Sequence, residues 1–231
     1  LHDALPIFKA MLKVSPSEEK NNIVFCTQNG LIKRTALKEF ENIRTNGKIA
    51  ITLKEGDQLI SVKKTSGENE IIIASSNGRM IRFDENEIRI MGRTAAGVRG
   101  IDLDNGICVG CEIAEKGEQI LVVTENGYGK RTDTEEYRMT HRGSKGVKGL
   151  NITDKNGNIV AFKLVHGDED LMIITNSGMI IRLAVEQISS TGRVAQGVRL
   201  INLKDGQKVS NVALIAKEEN DEENLDESNM I

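Results

Sequence analysis

The stretch ILVVTENGYGKRT, residues 120–132, decides the fold, because a β-rich run, an Asn-Gly turn and a second short run follow one another directly. Asn-Gly between two such runs is a strong signal for a β-hairpin, in which a type I′ turn needs positive φ at both central residues. A near copy, NGLIKRT, lies at residues 29–35. We therefore predict a type I′ hairpin at both places and expect further copies of the unit.

Four copies are present. Their turn glycines, spaced 48, 49 and 51 residues apart, are Gly30, Gly78, Gly127 and Gly178. An arginine follows each glycine at the fourth position, at Arg34, Arg82, Arg131 and Arg182. A glycine-containing loop and another apolar run complete each unit, which gives about four short strands in roughly 50 residues, as in propeller-like closed β arrays. The sequence therefore predicts an all-β protein whose blades pack on one another.

The boundaries follow from the copies. We expect four repeats, at about residues 15–65, 66–114, 115–165 and 166–216. Residues 8–14 are predicted to be the last strand of a truncated preceding blade, and residues 1–7 a scar or artefact. Residues 217–231, with seven acids and one base, are predicted to be a disordered acidic tail. The chain then represents part of a longer protein.

Composition excludes several classes of protein. The 231 residues carry a formal net charge of −3, and without the tail the body has a net charge of +3. No apolar run approaches the roughly 18 residues of a membrane helix. Aromatic residues make up only 3% of the chain, so stacking platforms for single-stranded nucleic acid are scarce. Three cysteines, an odd number, favour a reducing compartment over a disulfide scaffold.

The phrases ENGYGKRTDTEEYR, MGRTAAGVRGI, GRVAQGVRLI and NIRTNGKIAI resemble the C-terminal domain of DNA gyrase A subunits, from about Phe8 to the acidic tail. The resemblance implies a six-bladed β-pinwheel in which neighbouring blades exchange strands and a basic perimeter bends and wraps DNA. This chain would be a partial copy with about four complete blades. The family's box, Gln-Arg-Arg-Gly-Gly-Lys-Gly, belongs to the first blade, and its nearest remnant here is residues 141–146, in which His141 and Ser144 depart from it.

The same resemblance implies the biological setting. The partners would be double-stranded DNA, the rest of the gyrase A subunit, plus the gyrase B subunit, in a cytoplasmic, nucleoid-associated A2B2 enzyme. This type IIA topoisomerase uses Mg and ATP elsewhere, so no cofactor and no catalytic residue is expected in this chain. The expected role is DNA wrapping that directs ATP-dependent negative supercoiling. Two alternatives remain, the equivalent module of the topoisomerase IV A subunit or a propeller that binds proteins.

Two sets of basic residues are candidates for DNA contact. The arginines that follow the turns either contact DNA or pair with a neighbouring blade. The second set lies in the glycine-containing loops, where side chains are presented on a rigid scaffold. The residues predicted to bind DNA are Lys33, Arg34, Arg44, Lys48, Arg93, Arg99, Lys130, Arg131, Arg142, Lys145, Lys148, Arg193 and Arg199. Phosphate contacts of this kind hold a duplex without reading its sequence.

Other reactive residues are interpreted as structural. Cys108 and Cys111 have the C-x-x-C spacing, but a zinc site needs a second pair and residues three apart in a strand point to opposite faces. We predict that both are ordinary buried cysteines. Tyr128 and Tyr137 are predicted to be packing residues rather than nucleophiles.

Overall fold

The computed structural model describes residues 9–18, 20–43 and 45–216, so the predicted scar and the acidic tail lie outside the described residues. Within the described residues it contains strands and short 3₁₀ helices, and no helix long and apolar enough to cross a membrane. The strands are β1 (Asn22–Thr27), β2 (Leu31–Ala36), β3 (Leu59–Thr65), β4 (Glu70–Ser75), β5 (Arg79–Asp84), β6 (Val98–Arg99), β7 (Cys108–Ala114), β8 (Gln119–Thr124), β9 (Tyr128–Asp133), β10 (Val147–Lys148), β11 (Ile159–Val165), β12 (Glu169–Thr175), β13 (Ile180–Ala184), β14 (Val198–Arg199) and β15 (Val209–Ala216). The 3₁₀ helices are η1 (Pro16–Glu18), η2 (Leu37–Phe40), η3 (Glu85–Glu87), η4 (Thr134–Glu136) and η5 (Val185–Gln187).

The strands form four antiparallel sheets, one for each repeat, which confirms the all-β fold with four blades. Their orders are β3-β1-β2-β6, β10-β5-β4-β7, β11-β8-β9-β14 and β13-β12-β15. We call the second strand of each hairpin, namely β2, β5, β9 and β13, the outer strand of its blade. The two-residue strands β6, β10 and β14 each follow the outer strand of their own blade in sequence. Each pairs instead with the outer strand of the preceding blade, and we call these three the exchanged strands. Neighbouring blades therefore exchange strands, as the family resemblance implied. The innermost strands β3, β7, β11 and β15 adjoin in that order.

The continuous apolar runs of the sequence form the first strand of each hairpin, which is buried between blades. In β4, Ile71 and Ile73 pack in a cluster shared with the first blade, whereas Ile72 packs in a cluster shared with the third. All three side chains are fully buried, because the sheet is covered on both faces. At roughly 25 cal/mol per Å² of apolar surface, burial between blades is the main stabilising term of the array.

The hairpin turns are not type I′. Gly30, Gly78 and Gly127 have φ of 74°, 83° and 78°, but none of the preceding asparagines has positive φ. The amide of Gly30 donates to the Thr27 carbonyl at 2.9 Å, which closes a turn whose αL residue is the glycine alone. This is the three-residue loop with a glycine bulge, so the prediction of type I′ geometry is wrong. Asn-Gly indicates a hairpin but does not distinguish these two turns.

Each junction between blades, which we call a joint, repeats the same contacts. The arginine of the outer strand donates to the 3₁₀ helix of the next blade, and the next blade's exchanged strand adds to the edge of the outer strand. A glycine before the exchanged strand lies directly on the outer strand's backbone. At Gly146, with φ of 64°, a Cβ atom would lie 2.1 Å from the Met80 carbonyl oxygen. Only glycine fits there, since both the dihedral and the space exclude a side chain.

Two predictions near the first blade and the second are wrong. Residues 9–14 form no strand; Leu12 instead packs against the apolar cluster of Ile23, Phe25 and Leu37. Cys108 and Cys111 are buried as predicted, but they reach the same core cluster rather than opposite faces. The register of β7 against β4 shifts by one residue between them, and such a bulge cancels the alternation of side chains.

The fourth blade has an open outer edge within the described residues. There β13 pairs with β12 only, and no exchanged strand joins it. The Arg182 side chain is 45% exposed and pairs with Asp170 of its own blade at 2.6 Å, whereas the Arg34 side chain is 7% exposed. Gly178 has open space around it. In the part of the chain that the structure describes, β13 therefore lacks the exchanged strand that completes the other joints.

Candidate nucleic-acid interface

The exchanged strands place one basic side chain per joint on the outer edge of the array. Arg99, Lys148 and Arg199 occupy equivalent positions in β6, β10 and β14, and all three are exposed. They lie opposite the first residue of the neighbouring outer strand, at the hairpin end of each blade. Because the joint fixes the backbone of these short strands, the three charges recur at the same place on consecutive blades.

The loop arginines form a second, connected row beside the first. Arg93, Arg142 and Arg193 are half-buried. In each case Nη1 donates to a backbone carbonyl of the preceding blade, at 2.9 Å to Ile49, and at 3.1 Å to Arg99 and 2.5 Å to Lys148 of the exchanged strands β6 and β10. Each guanidinium thus ties its own loop to the preceding blade. The donors that remain are available for an anion at the surface.

Two lysines of the predicted set are partly engaged. Lys145 pairs with Asp104 at 2.9 Å, and the hydrogen bond from Lys145 holds the pKa of that carboxyl below its usual range. Lys48 donates to the Glu39 and Glu41 carbonyls of the first blade. Lys145 therefore contributes less net charge to the surface than the sequence suggests. Arg44 lies outside the described residues.

The turn-following arginines belong mainly to the joints. Arg34 is buried and pairs with Glu85 of the next blade at 3.1 Å. Arg131 donates to the Ile188 and Glu186 carbonyls of the next blade at 2.8 and 3.1 Å. The structure contradicts DNA contact by Arg34, because a buried paired guanidinium cannot reach a phosphate. For this set it favours the alternative that the sequence left open, which is pairing between blades.

The structure also contradicts DNA contact by Lys33 and Lys130, both of which are fully buried. Each ammonium donates to backbone carbonyls inside a joint, so it is not free to contact a phosphate. The prediction of exposure was wrong because a charged residue in a strand usually lies on the face toward solvent, whereas here both faces of the strand are covered by protein. The other two repeats have the apolar residues Ile81 and Ile181 at the equivalent position, which indicates that this position is buried.

Burial of these two lysines predicts a pH-dependent stability. Removal from water lowers the pKa of Lys33 and Lys130 from 10.5 to about 8. Between these values the unfolded chain binds more protons than the folded one, so the free energy of unfolding should rise with pH. We expect Lys33→Ile with Lys130→Ile to remove about 1 to 2 kcal/mol per lysine of that rise between pH 7 and 9.5.

Urea unfolding at pH 6, 7, 8, 9 and 9.5 measures the effect as the difference between the original chain and the double variant. That difference cancels the titration of other groups, including Tyr137, whose pKa is raised by burial. It should be constant from pH 6 to 7, where both lysines are charged. A difference that stays constant up to pH 9.5 would contradict the assigned burial of charge.

The sequence also missed two contributors to this surface. Arg79 lies opposite Lys148 in the antiparallel pair of β5 and β10, which doubles the charge at that joint. Tyr128 accepts hydrogen bonds from Arg199 at 2.8 and 3.3 Å, and the guanidinium carbon lies 5.5 Å from the ring centroid. Tyr128 and Tyr137 are both buried, as predicted for packing residues. Aligning the four hairpins would have identified Arg79 as a charge next to the turn.

A model of one protein family matches the chain in four segments, at residues 21–66, 69–115, 118–166 and 169–216. Its description is DNA gyrase C-terminal domain, beta-propeller. The DNA gyrase A subunit of Staphylococcus aureus strain MRSA252 is 51% identical over 229 residues, which cover 97% of this chain and 26% of that protein. The chain thus spans about a quarter of the length of the curated relatives it matches.

Two solved structures share the fold. The C-terminal domain of DNA topoisomerase IV superimposes with a TM-score of 0.82 at 28% identity, covering 88% of this chain and 64% of that one. The DNA gyrase A C-terminal domain gives a TM-score of 0.76 at 23% identity, covering 85% of this chain and 66% of that one. The second likeness establishes the fold alone.

Proposed function

Because the chain belongs to the DNA gyrase C-terminal domain family, we propose that it is the DNA-binding and DNA-wrapping module of a DNA gyrase A subunit. The observation that carries the proposal is the recurrence of an exposed basic residue on consecutive exchanged strands, at Arg99, Lys148 and Arg199. These residues can each neutralise a phosphate without reading a base. A row of such contacts on a curved array favours a bent duplex.

The energetics of bending are compatible with this row. Smooth bending of a site of 20–30 base pairs costs on the order of 1–6 kcal/mol, and that cost is offset by the contacts the bend permits. The arginine row ties neighbouring blades together, so the contacts are fixed before DNA arrives. A preorganised surface loses less side-chain entropy on binding than a flexible one. Curvature of the duplex would then be set by the joints.

The proposal includes the setting of the whole enzyme. The chain would act in a cytoplasmic, nucleoid-associated A2B2 gyrase together with the B subunit, plus the rest of the A subunit. Strand cleavage, Mg and ATP would belong to those other parts, and the module would direct negative supercoiling by presenting a wrapped DNA segment. The high identity to gyrase A subunits supports this choice.

A module of the topoisomerase IV A subunit is the second candidate. It is favoured by one observation, the higher TM-score to the topoisomerase IV domain than to the gyrase A domain. The four copies in this chain are regular, with the turn glycine, the arginine and the second loop present in each. This regularity favours gyrase, because a module that selects substrates needs fewer equivalent contacts than one that wraps them.

Ligation of a nicked plasmid in the presence of the 231-residue chain tests wrapping. We expect the linking number to shift progressively with protein concentration, and the shift to fade as salt rises, because phosphate contacts release counterions. The topoisomers are resolved on chloroquine gels. A matched control is bovine serum albumin at the same concentration. Salt-dependent binding without a shift would support the second candidate, and neither binding nor shift would overturn both.

A further inference from the structure

Lys33 and Lys130 hold the two turns that carry loop arginines of the following blades. The Lys33 ammonium donates to the Arg93 carbonyl at 2.5 Å, to the Gly92 carbonyl at 3.4 Å and to the Ala50 carbonyl. The Lys130 ammonium donates to the Gly192 and Arg193 carbonyls at 2.7 and 2.6 Å. The same two backbone positions are therefore contacted in both joints.

The joint between these two has an isoleucine in place of the lysine. At the equivalent position Ile81 is buried in the core shared by the first two blades, and among the described residues no lysine ammonium bonds the turn that contains Arg142. That turn is held from outside, where Glu87 accepts from the Arg142 amide at 2.9 Å and also bonds His141. An ammonium is consequently not required to close a joint.

The turns themselves differ in the same way. The Ala95 amide donates to the Gly92 carbonyl at 3.2 Å, and the Ala195 amide to the Gly192 carbonyl at 3.0 Å. Among the described residues, the corresponding amide of Ser144 makes no such bond to His141. The two turns above a lysine are closed, and the turn above an isoleucine is open. This correlation links the buried ammonium to the local backbone.

Burying an ammonium without a carboxylate in direct contact is costly, and carbonyl acceptors offset only part of that cost. The charged groups near Lys33 and Lys130 are Arg93 for the former and Glu136 and Arg193 for the latter. Stability alone would favour isoleucine, which the other two copies contain. The lysines therefore need a role other than filling the core.

We propose that Lys33 and Lys130 are positioning residues that fix the turns at residues 92–95 and 192–195, and thereby the loop arginines, for contact with phosphate. The DNA part rests on the proposed function, while the fixing of the turns does not. The Glu136 carboxylate accepts from the Arg193 amide at 2.7 Å, as Glu87 does from the Arg142 amide, so the carboxylate contact is common to both turns and the ammonium is what distinguishes them. The ligand class is the phosphate backbone of duplex DNA.

Limited trypsin digestion of the full chain tests the fixing of the turns without DNA. We expect Lys33→Ile to accelerate cleavage after Arg93 by roughly tenfold, and Lys130→Ile to do the same after Arg193, because a turn must open locally to enter the protease. Mass spectrometry gives the rate at each site. Cleavage after Arg142 should not change in either variant, so each molecule carries its own control.

Unchanged cleavage at the targeted arginine would overturn the proposal, as would a parallel rise at all three arginines, which indicates global destabilisation. If an isoleucine variant does not fold, Lys33→Met and Lys130→Met replace it with an unbranched apolar side chain. Amide exchange of the original chain gives a measurement without any substitution. Ala95 and Ala195 should exchange at least about tenfold more slowly than Ser144, and equal rates would count against the proposal.

Fluorescence anisotropy with a duplex of about 40 base pairs then tests the consequence for DNA. The double isoleucine variant should bind roughly three- to tenfold more weakly at about 0.1 M salt, whereas Ile81→Val should bind like the original chain. Faster cleavage with unchanged affinity would overturn the role in DNA contact. Absence of binding by the original chain would instead contradict the proposed function, and the digestion result would still stand.

Discussion

Replacing Arg99, Lys148 and Arg199 together by glutamine should weaken duplex binding on the order of 10²-fold at about 0.1 M salt. The three side chains are exposed and recur at one position of consecutive joints. Each phosphate contact contributes about 0.9 to the slope of log K against log salt, so the slope should fall by about 3. Anisotropy titrations at several salt concentrations measure both quantities.

The matched control removes three exposed lysines at the other end of the blades. Lys13, Lys20 and Lys116 lie near the first residues of the central strands rather than at the hairpin turns. Substituting these lysines by glutamine lowers the net charge by the same amount but leaves the row of Arg99, Lys148 and Arg199 intact. We expect a loss of less than about threefold. Equal losses in the two triple variants would show that net charge, and not the row, determines affinity.

The substitution Gly146→Ala should destabilise the chain by about 3 to 5 kcal/mol, the largest effect on stability that we expect. A methyl group there would lie 2.1 Å from the Met80 carbonyl oxygen and 3.1 Å from the Ile81 amide nitrogen. Neither backbone atom can move without separating β10 from β5. Urea unfolding monitored by circular dichroism measures the loss.

Gly178→Ala provides the comparison, because it separates dihedral strain from steric contact. Gly178 has a φ of 80°, close to that of the other turn glycines, but nothing lies within 4 Å of a Cβ atom at this position. We expect a cost of only about 1 kcal/mol, from the left-handed backbone. If the two variants lost equal stability, the close contact at the joint would have no energetic significance.

The repeat could be predicted from the sequence because its hairpins depend on local signals. A β-rich run, a turn glycine and a second run are contiguous, so the four blades follow from their recurrence. The turn type could not be predicted, since glycine satisfies positive φ in both geometries. The bulge between Cys108 and Cys111 could not be predicted either, because a single extra residue in a strand does not change the pattern of apolar residues in the sequence.

The candidate site was predicted less well than the fold. Lys33 and Lys130 directly precede Arg34 and Arg131 in the sequence, and nothing in the local sequence distinguishes them from exposed basic residues. Both lysines are nevertheless buried. Whether a charge in a strand faces water depends on the neighbouring blade, which no local window contains. Arg99, Lys148 and Arg199, which were predicted to bind DNA, are exposed on the exchanged strands. Their contact with DNA stays a prediction.

The open outer edge at β13 within the described residues affects how the array comes apart. In a linear repeat array, each unit derives part of its stability from the interfaces with its neighbours. Among the described residues the second and third blades have two such interfaces, whereas the first and the fourth have one each. Unfolding should therefore be a graded process that begins at the terminal blades, including β13, and proceeds inward. The cooperativity of unfolding in this fold then depends on the interfaces between blades, and each added blade adds the stabilising energy of one more interface.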